Sequence, residues 1–176
     1  MLTLIPPIKE YEKEIFDFKD EMLSFGDIEF NGCGRLEQYS SFEEWKDHLD
    51  SYADRNKMDP SCGLVEGRQY MLFDTEKKRV LGMANVRHYL NDFLMNLGGH
   101  IGYSIRPTER GKGYGTLQLK LALEKLKEIG VNDVLVTCDD DNTASYKTIE
   151  SCGGTLENKV YSDKYGCFIR RYWINQ

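Results

Sequence analysis

The sequence predicts an α+β fold, a mixed and mostly antiparallel central sheet of about seven strands flanked by about four helices. Three observations predict it. Two amphipathic helical stretches precede three closely spaced strand-like runs, then an amphipathic helix leads into a short, almost wholly apolar strand, and the chain closes on a short helix and a strand pair. At 176 residues, 40% hydrophobic and 30% charged, the chain is long enough for one domain with a substantial core and too short for two, so residues 1–176 are expected to form one domain.

Leu2–Ile5 reads as an edge strand stopped by Pro6-Pro7. Ile8, Tyr11, Ile15, Phe18 and Met22 recur at three- and four-residue steps, which predicts a helix over Ile8–Phe25. Gly26–Gln38 has three glycines and no period, as a loop would. Ser41 and Glu44 form a capping box for a helix that places Phe42, Trp45, Leu49 and Tyr52 on one face and frays near Arg55–Asp59 ahead of Pro60. Gln69–Asp74, Val80–His88 and His100–Arg106 are the strands of an antiparallel meander, joined through Thr75–Lys78 and Asn91–Gly99.

The helix after the glycine-rich loop turns Leu119, Ala122, Leu123, Leu126 and Ile129 to one side and ends at Gly130. Val134–Cys138 is β-branched and apolar, as suits a strand buried on both faces, and the strand–helix–strand order predicts a parallel βαβ unit. A short helix from Asn142 to Gly153-Gly154 and the strands Thr155–Tyr161 and Cys167–Ile174 complete the chain.

No apolar run approaches the ~20 residues of a membrane span, and the N-terminus lacks the pattern of a signal peptide. Five cysteines (Cys33, Cys62, Cys138, Cys152 and Cys167) are odd in number and have no CxxC spacing. Free thiols, a cytoplasmic location and no membrane partner are therefore expected. A net charge of -6 argues against nucleic acid as the main partner and is compatible with a cationic substrate, although many acidic proteins are merely soluble.

The chemistry is anchored between Gly99 and Gly130, where a strand meets a loop carrying Arg110 and Lys112 with glycines at 111, 113 and 115. Such a loop at a helix start turns free N–H groups and the helix dipole toward an anion. A P-loop is excluded, because Arg106 stands where its first glycine belongs and Gly113 follows Lys112. A dinucleotide fingerprint fails at Thr116, where its last glycine should fall. The pattern R-x-x-G-x-G is met by Arg110, Gly113 and Gly115.

That pattern resembles the pyrophosphate signature of the GNAT acetyltransferase superfamily, and the resemblance covers essentially the whole chain. Ile101–Gly115 is similar to the family's run from its fourth strand into the loop, and Val136–Gly154 to its fifth strand and following helix. In the Gly98–Pro107 run, the VTCDDDN phrase and the C-terminal RRYW, the chain most resembles a branch of predicted bacterial acetyltransferases whose activities are uncharacterised. The resemblance implies acetyl-CoA as donor, an amine acceptor (a small molecule or a protein amine) and transfer by direct attack. It implies a pyrophosphate on the N–H groups of Arg110, Gly111, Lys112, Gly113, Tyr114, Gly115 and Thr116, with the Lys112 side chain either on the phosphates or in solvent. It also implies a pantetheine arm paired with Tyr103, Ser104 and Ile105, an oxyanion donor near Ser104–Ile105, and cofactor contacts from Asn142 and Ser145. Fourth and fifth strands that splay apart around the thioester belong to the same resemblance. It is compatible with a homodimer.

The family's usual tyrosine, seven residues after the asparagine, is Ile149 in this chain. Tyr146 and Ser145 are the candidates to protonate the leaving thiolate, and His100 is the candidate proton relay. Glu29, Glu66 and Asp92 are unplaced carboxylates that could face the acceptor. Asp139–Asp141 lacks the glycine and distal glutamate of a calcium loop and reads as a solvated acidic turn, so no metal is expected. The acceptor pocket is expected from Gly26–Gln38 and Tyr89–Gly98, whose Phe30, Tyr89 and Phe93 look exposed, although aromatics so placed more often pack than bind. The missing tyrosine motivates an alternative, a catalytically silent acyl-CoA-binding sensor or partner protein. A nucleotide-binding regulator is disfavoured by the absent P-loop.

Overall fold

A computed structural model describes the backbone of residues 1–176 and every side chain except that of Pro60. It has seven strands, β1 (Leu2–Ile5), β2 (Gly67–Asp74), β3 (Arg79–Arg87), β4 (Ile101–Ile105), β5 (Asp133–Asp139), β6 (Thr155–Ser162) and β7 (Cys167–Asn175). Four main helices accompany them, α1 (Glu12–Phe25), α2 (Phe42–Ser51), α3 (Tyr114–Glu128) and α4 (Thr143–Ser151). This is the α+β architecture read from the sequence, and each of the seven strands lies within two residues of its expected position at either end.

β1 to β4 form one antiparallel sheet in chain order, while β5, β7 and β6 form a second, with β7 in the middle. A parallel β4–β5 ladder, expected from the strand–helix–strand order, is absent. The two strands touch at one point, where the His100 N–H donates to the Leu135 carbonyl at 2.7 Å and the Leu135 N–H donates to His100 Nδ1 at 3.0 Å. Beyond that contact they part, and Gly102 and Tyr103 on β4 face Thr137 and Cys138 on β5 across open space. An apolar strand after a crossover helix looks the same in sequence whether or not the ladder closes, so residue pattern alone could not show the gap; the splayed fourth and fifth strands implied by the GNAT resemblance are what the structure has.

Two cores cover opposite faces of the first sheet. α3 lays Leu119, Ala122 and Leu126 against Leu72, Leu81 and Val86, and Val134, Val136 and Tyr172 of the second sheet join the same core. α1 and α2 lay Ile15, Phe18, Met22, Trp45 and Leu49 against Met71, Phe73 and Met83 on the other face. Burying such a side chain contributes about 1.5–3 kcal/mol, so these two layers hold the strand that the site is built on. Ile129, expected on the buried side of α3, is 48% exposed, because the helix has already reached its cap there.

The N-cap half of the expected capping box at α2 is made, with Ser41 Oγ accepting the Glu44 N–H at 3.3 Å. The aperiodic Gly26–Gln38 segment is more ordered than its composition suggests. Phe30, Cys33 and Leu36 are buried, Trp45 Nε1 donates to the Gly34 carbonyl at 3.0 Å, and Gln69 Nε2 donates to the Gly32 carbonyl at 2.7 Å. Phe30 is thus a core residue, not the exposed aromatic expected of a loop.

Candidate active site

The glycine-rich loop enters α3 through Gly111 (φ 73°) and Gly113 (φ 83°), left-handed conformations that a side chain would strain. Among the described residues, no amide N–H from Gly111 through Thr116 has a hydrogen-bond partner, so six consecutive donors at a helix start are left open. The Arg110 N–H is not one of them. It donates to the Pro107 carbonyl at 3.2 Å, so the anion-facing run begins one residue later than expected.

The Arg110 side chain ties three elements together. Its Nε donates to the Ile105 carbonyl at 3.0 Å, its Nη2 meets Asp27 at 2.5 Å, and the guanidinium lies 5.2 Å from the Phe25 ring centre. Lys112 pairs with Glu109 at 2.9 Å and does not line the cavity beside the loop.

That cavity, of about 500 Å³, runs from the loop along β4 to the start of α4. Of the expected cofactor-binding residues, Tyr103, Ser104, Ile105, Arg110, Gly111, Gly113, Tyr114, Gly115, Thr116, Asn142 and Ser145 line it. The β3–β4 ladder shows which strand groups are free. The Arg87 N–H donates to the His100 carbonyl at one end and the Arg106 N–H to the Leu81 carbonyl at the other. The two-residue alternation then spends Gly102 and Ser104 on β3 and turns the amides of Tyr103 and Ile105 toward the gap. Of the expected Ser104–Ile105 donors, the Ser104 amide faces the ladder and only the Ile105 amide is open, and the open Tyr103 amide lies nearer the point where the strands part. The Ser104 side chain has a separate task, donating to the Asn31 carbonyl at 2.6 Å.

A second cavity of about 210 Å³ lies where β4 and β5 part. Glu29, Asn31, Tyr103, Asn142 and Ser145 line both cavities, so the two meet at those side chains. The Tyr103 hydroxyl and Ser145 Oγ share a hydrogen bond of 3.0 Å there, and burial pushes the Tyr103 phenol up to about 12. Asn142 caps α4 by accepting the Ser145 N–H at 3.0 Å, which leaves its amide nitrogen for the cavity.

The other candidates for proton transfer fall elsewhere. Tyr146 lies under the Arg170 guanidinium, 4.1 Å from its ring centre, and lines neither cavity. His100 is 6% exposed, lines neither cavity, and burial pulls its pKa down to about 4, so the ring is neutral at pH 7 with Nδ1 occupied by Leu135. Ile149 is fully buried in the core. Glu66 lies beside His88, 3.6 Å away, and neither it nor Asp92 reaches a cavity.

Two charged residues of the second cavity carried no sequence signal strong enough to single them out. Asp139 is exposed, as the solvated-turn reading expects, yet at the end of β5 it also lines the cavity, and partial desolvation first, then the charges of Asp141 and Glu29, raise its pKa above the usual carboxylate value. Arg87 ends β3, where its Nη1 holds the carbonyls of Gly98 and Gly99 at 2.7 and 2.9 Å. Only the sheet topology brings either residue to the gap.

The acetyltransferase (GNAT) domain family matches residues 15–155. The chain belongs to the GNAT acetyltransferase family. GNAT structures share its fold along nearly the whole length. A ribosomal-protein-S5-alanine acetyltransferase from Vibrio fischeri is 14% identical with a TM-score of 0.73, covering 99% of this chain and 92% of its own. The RimL ribosomal L7/L12 α-N-protein acetyltransferase, in complex with coenzyme A, is 15% identical with a TM-score of 0.71 over 99% of this chain and 93% of its own. A mutant spermidine/spermine N-acetyltransferase SpeG from Vibrio cholerae is 15% identical with a TM-score of 0.64 over 100% and 95%. At these identities the likeness is one of fold. No curated protein sequence matches the chain. Among the described residues of this GNAT chain, no helix is long and apolar enough to cross a membrane.

Proposed function

We propose that the chain transfers an acetyl group from acetyl-CoA to a primary amine by direct attack of the amine on the thioester. The observation that carries this reading is one cavity wall that combines the open amides of Gly111 and Gly113–Thr116 with an unpaired strand edge at Tyr103 and Ile105. A pyrophosphate needs dense N–H donors at a helix start, and a pantetheine arm, with its own amides, needs a strand edge to pair with. A GNAT protein of this fold has been crystallised with coenzyme A, and similar folds carry the names of spermidine and ribosomal-protein acetyltransferases, which supports both an acyl-CoA donor and an amine acceptor.

In this reading the thioester carbonyl sits at the junction of the two cavities, where the open Tyr103 N–H stabilises the charge that builds on its oxygen, while the Ile105 N–H pairs with the pantetheine arm. The amine enters from the second cavity. An amine of pKa about 10.4 is neutral in only about one part in a few thousand at pH 7, so its proton must be taken. Asp139, with its raised pKa, and Glu29 are the carboxylates at that point, directly or through water.

As the new C–N bond forms and the C–S bond breaks, the electron pair leaves on sulfur. A thiolate of pKa near ~8.5 departs with little help, so the Tyr103–Ser145 pair need only donate a hydrogen bond to it. Neither a tyrosine at Ile149 nor a catalytic Tyr146 is then required. Ile149 nevertheless favours one other reading, a silent acyl-CoA sensor. Thiol release from acetyl-CoA across a panel of primary amines separates the two. Turnover of at least one amine is expected, and tight acetyl-CoA binding with no turnover on any would favour the sensor.

A further inference from the structure

We infer that the acceptor is a zwitterion, a primary amine that also carries a carboxylate, as in a free amino acid, with Arg87 as the residue that recognises the carboxylate. The inference rests on the transferase reading above and adds the acceptor class. It comes from the polarity of the second cavity. Five arginines of the chain, Arg79, Arg87, Arg106, Arg170 and Arg171, are buried or partly buried. Arg79, Arg106, Arg170 and Arg171 each pair with a carboxylate. Arg87 pairs with none among the described residues, although burial pushes its pKa down to about 10.

A cation held that deep without a counter-ion is costly unless a ligand supplies one. Its Nη1 is taken by two carbonyls, which leaves Nε and Nη2 as unbonded donors in a residue that lines the cavity. Two parallel N–H groups are the match for a carboxylate. Positive charge at this end is reinforced by Lys164, whose Nζ lies 5.0 Å from the ring centres of both Phe93 and Tyr165, two further lining residues.

The opposite end is negative. Glu29 and Asp139 stand close enough that the charge of one raises the pKa of the other, and Glu29 also lines the donor cavity. Neither carboxylate lies within ion-pair distance of Arg87. An ammonium is therefore drawn to the junction with the thioester, and an anion to the far end. A linear polyamine would put a second cation against Arg87, which like-charge repulsion opposes. A cavity of about 210 Å³ suits a small molecule of this kind.

The test compares matched substrates on the intact protein. Acetyl transfer is measured with free L-amino acids, their carboxamides, short peptides and spermidine. The expected result is turnover of an amino acid, with KM about tenfold or more higher for its carboxamide. Arg87→Met should raise KM for the amino acid about tenfold or more while changing the carboxamide little, and Arg87→Lys should recover part of the loss. Equal or better use of the carboxamide, a peptide or spermidine would overturn the inference and leave the transferase reading intact. Equal loss on both substrates in Arg87→Met would also overturn it, assigning Arg87 only to the carbonyls of Gly98 and Gly99. Acetyl-CoA binding without turnover of any amine would instead overturn the transferase reading itself. The substrate-side comparison needs no variant, so a misfolded mutant cannot mask the outcome.

Discussion

His100 occupies the one point at which β4 and β5 are joined by backbone, and its chemistry is that of a clasp. Only a neutral ring can accept the Leu135 N–H on Nδ1 without losing that bond, and burial holds the pKa near 4 against an ordinary value of about 6.5. Between those values the unfolded chain binds more protons than the folded one, so stability falls as pH drops from about 6.5 toward 4. The total is about 3 kcal/mol. Denaturant unfolding near pH 7 and near pH 4.5 should show the parent losing about 2 kcal/mol more than His100→Asn, and equal losses would remove His100 from this role. Tyr103 and Ser145 lie at the junction of the cavities, whereas Tyr146 is held under Arg170. Tyr103→Phe and Ser145→Ala should each lower kcat by roughly three- to tenfold, the worth of one hydrogen bond, while Tyr146→Phe changes it less than about twofold. A tenfold loss at Tyr146 would return the acid to that residue.

At the scale of elements, the loop between α1 and α2 sets the shape of the acceptor side. It is pinned from three directions, by Ser104 to the Asn31 carbonyl, by Gln69 to the Gly32 carbonyl and by Trp45 to the Gly34 carbonyl. Gly32 has φ 72° and lies so close to β4 that a Cβ would overlap the Gly102 carbonyl oxygen, which is backbone and cannot swing aside. Gly32→Ala should lift the loop that carries Glu29, costing about 2–4 kcal/mol of stability and raising KM for the acceptor, measured by denaturant unfolding and steady-state kinetics. Unchanged stability and KM would show that the loop tolerates displacement. Little of this was legible in sequence. Three glycines without a period marked a loop, but its anchors are the side chains of Gln69 and Ser104, distant in the chain and ordinary members of strands. The phosphate-type loop was legible because its determinants are local, with glycines at fixed spacing ahead of a helical period. Asp139 and Arg87 were not, because each ends a strand and becomes part of a site only where β4 and β5 part.

Across the whole molecule, function is lodged where one sheet becomes two. β1–β4 and β5–β7 share the core under α3, their edge strands meet through backbone only at His100, and the opening beyond it joins a donor cavity to an acceptor cavity at five shared residues. Strand and helix order was readable from periodicity because each element carries its own apolar pattern. The split was not. It depends on how His100 and Leu135, 35 residues apart in the chain, meet in space, a relation no local pattern encodes. The central claim is that the open amides of 111–116 hold the pyrophosphate of acetyl-CoA, and calorimetric titration tests it most directly. Gly113 has space for a side chain, but its φ of 83° and the nearby open amides make an added carboxylate strain the loop and repel an anion. The parent should bind acetyl-CoA and not ATP, and Gly113→Asp should lose at least about a hundredfold in affinity while remaining folded, its unfolding midpoint lowered only by the local strain at this φ. Unchanged affinity in Gly113→Asp, or tight ATP binding without acetyl-CoA binding in the parent, would contradict the account.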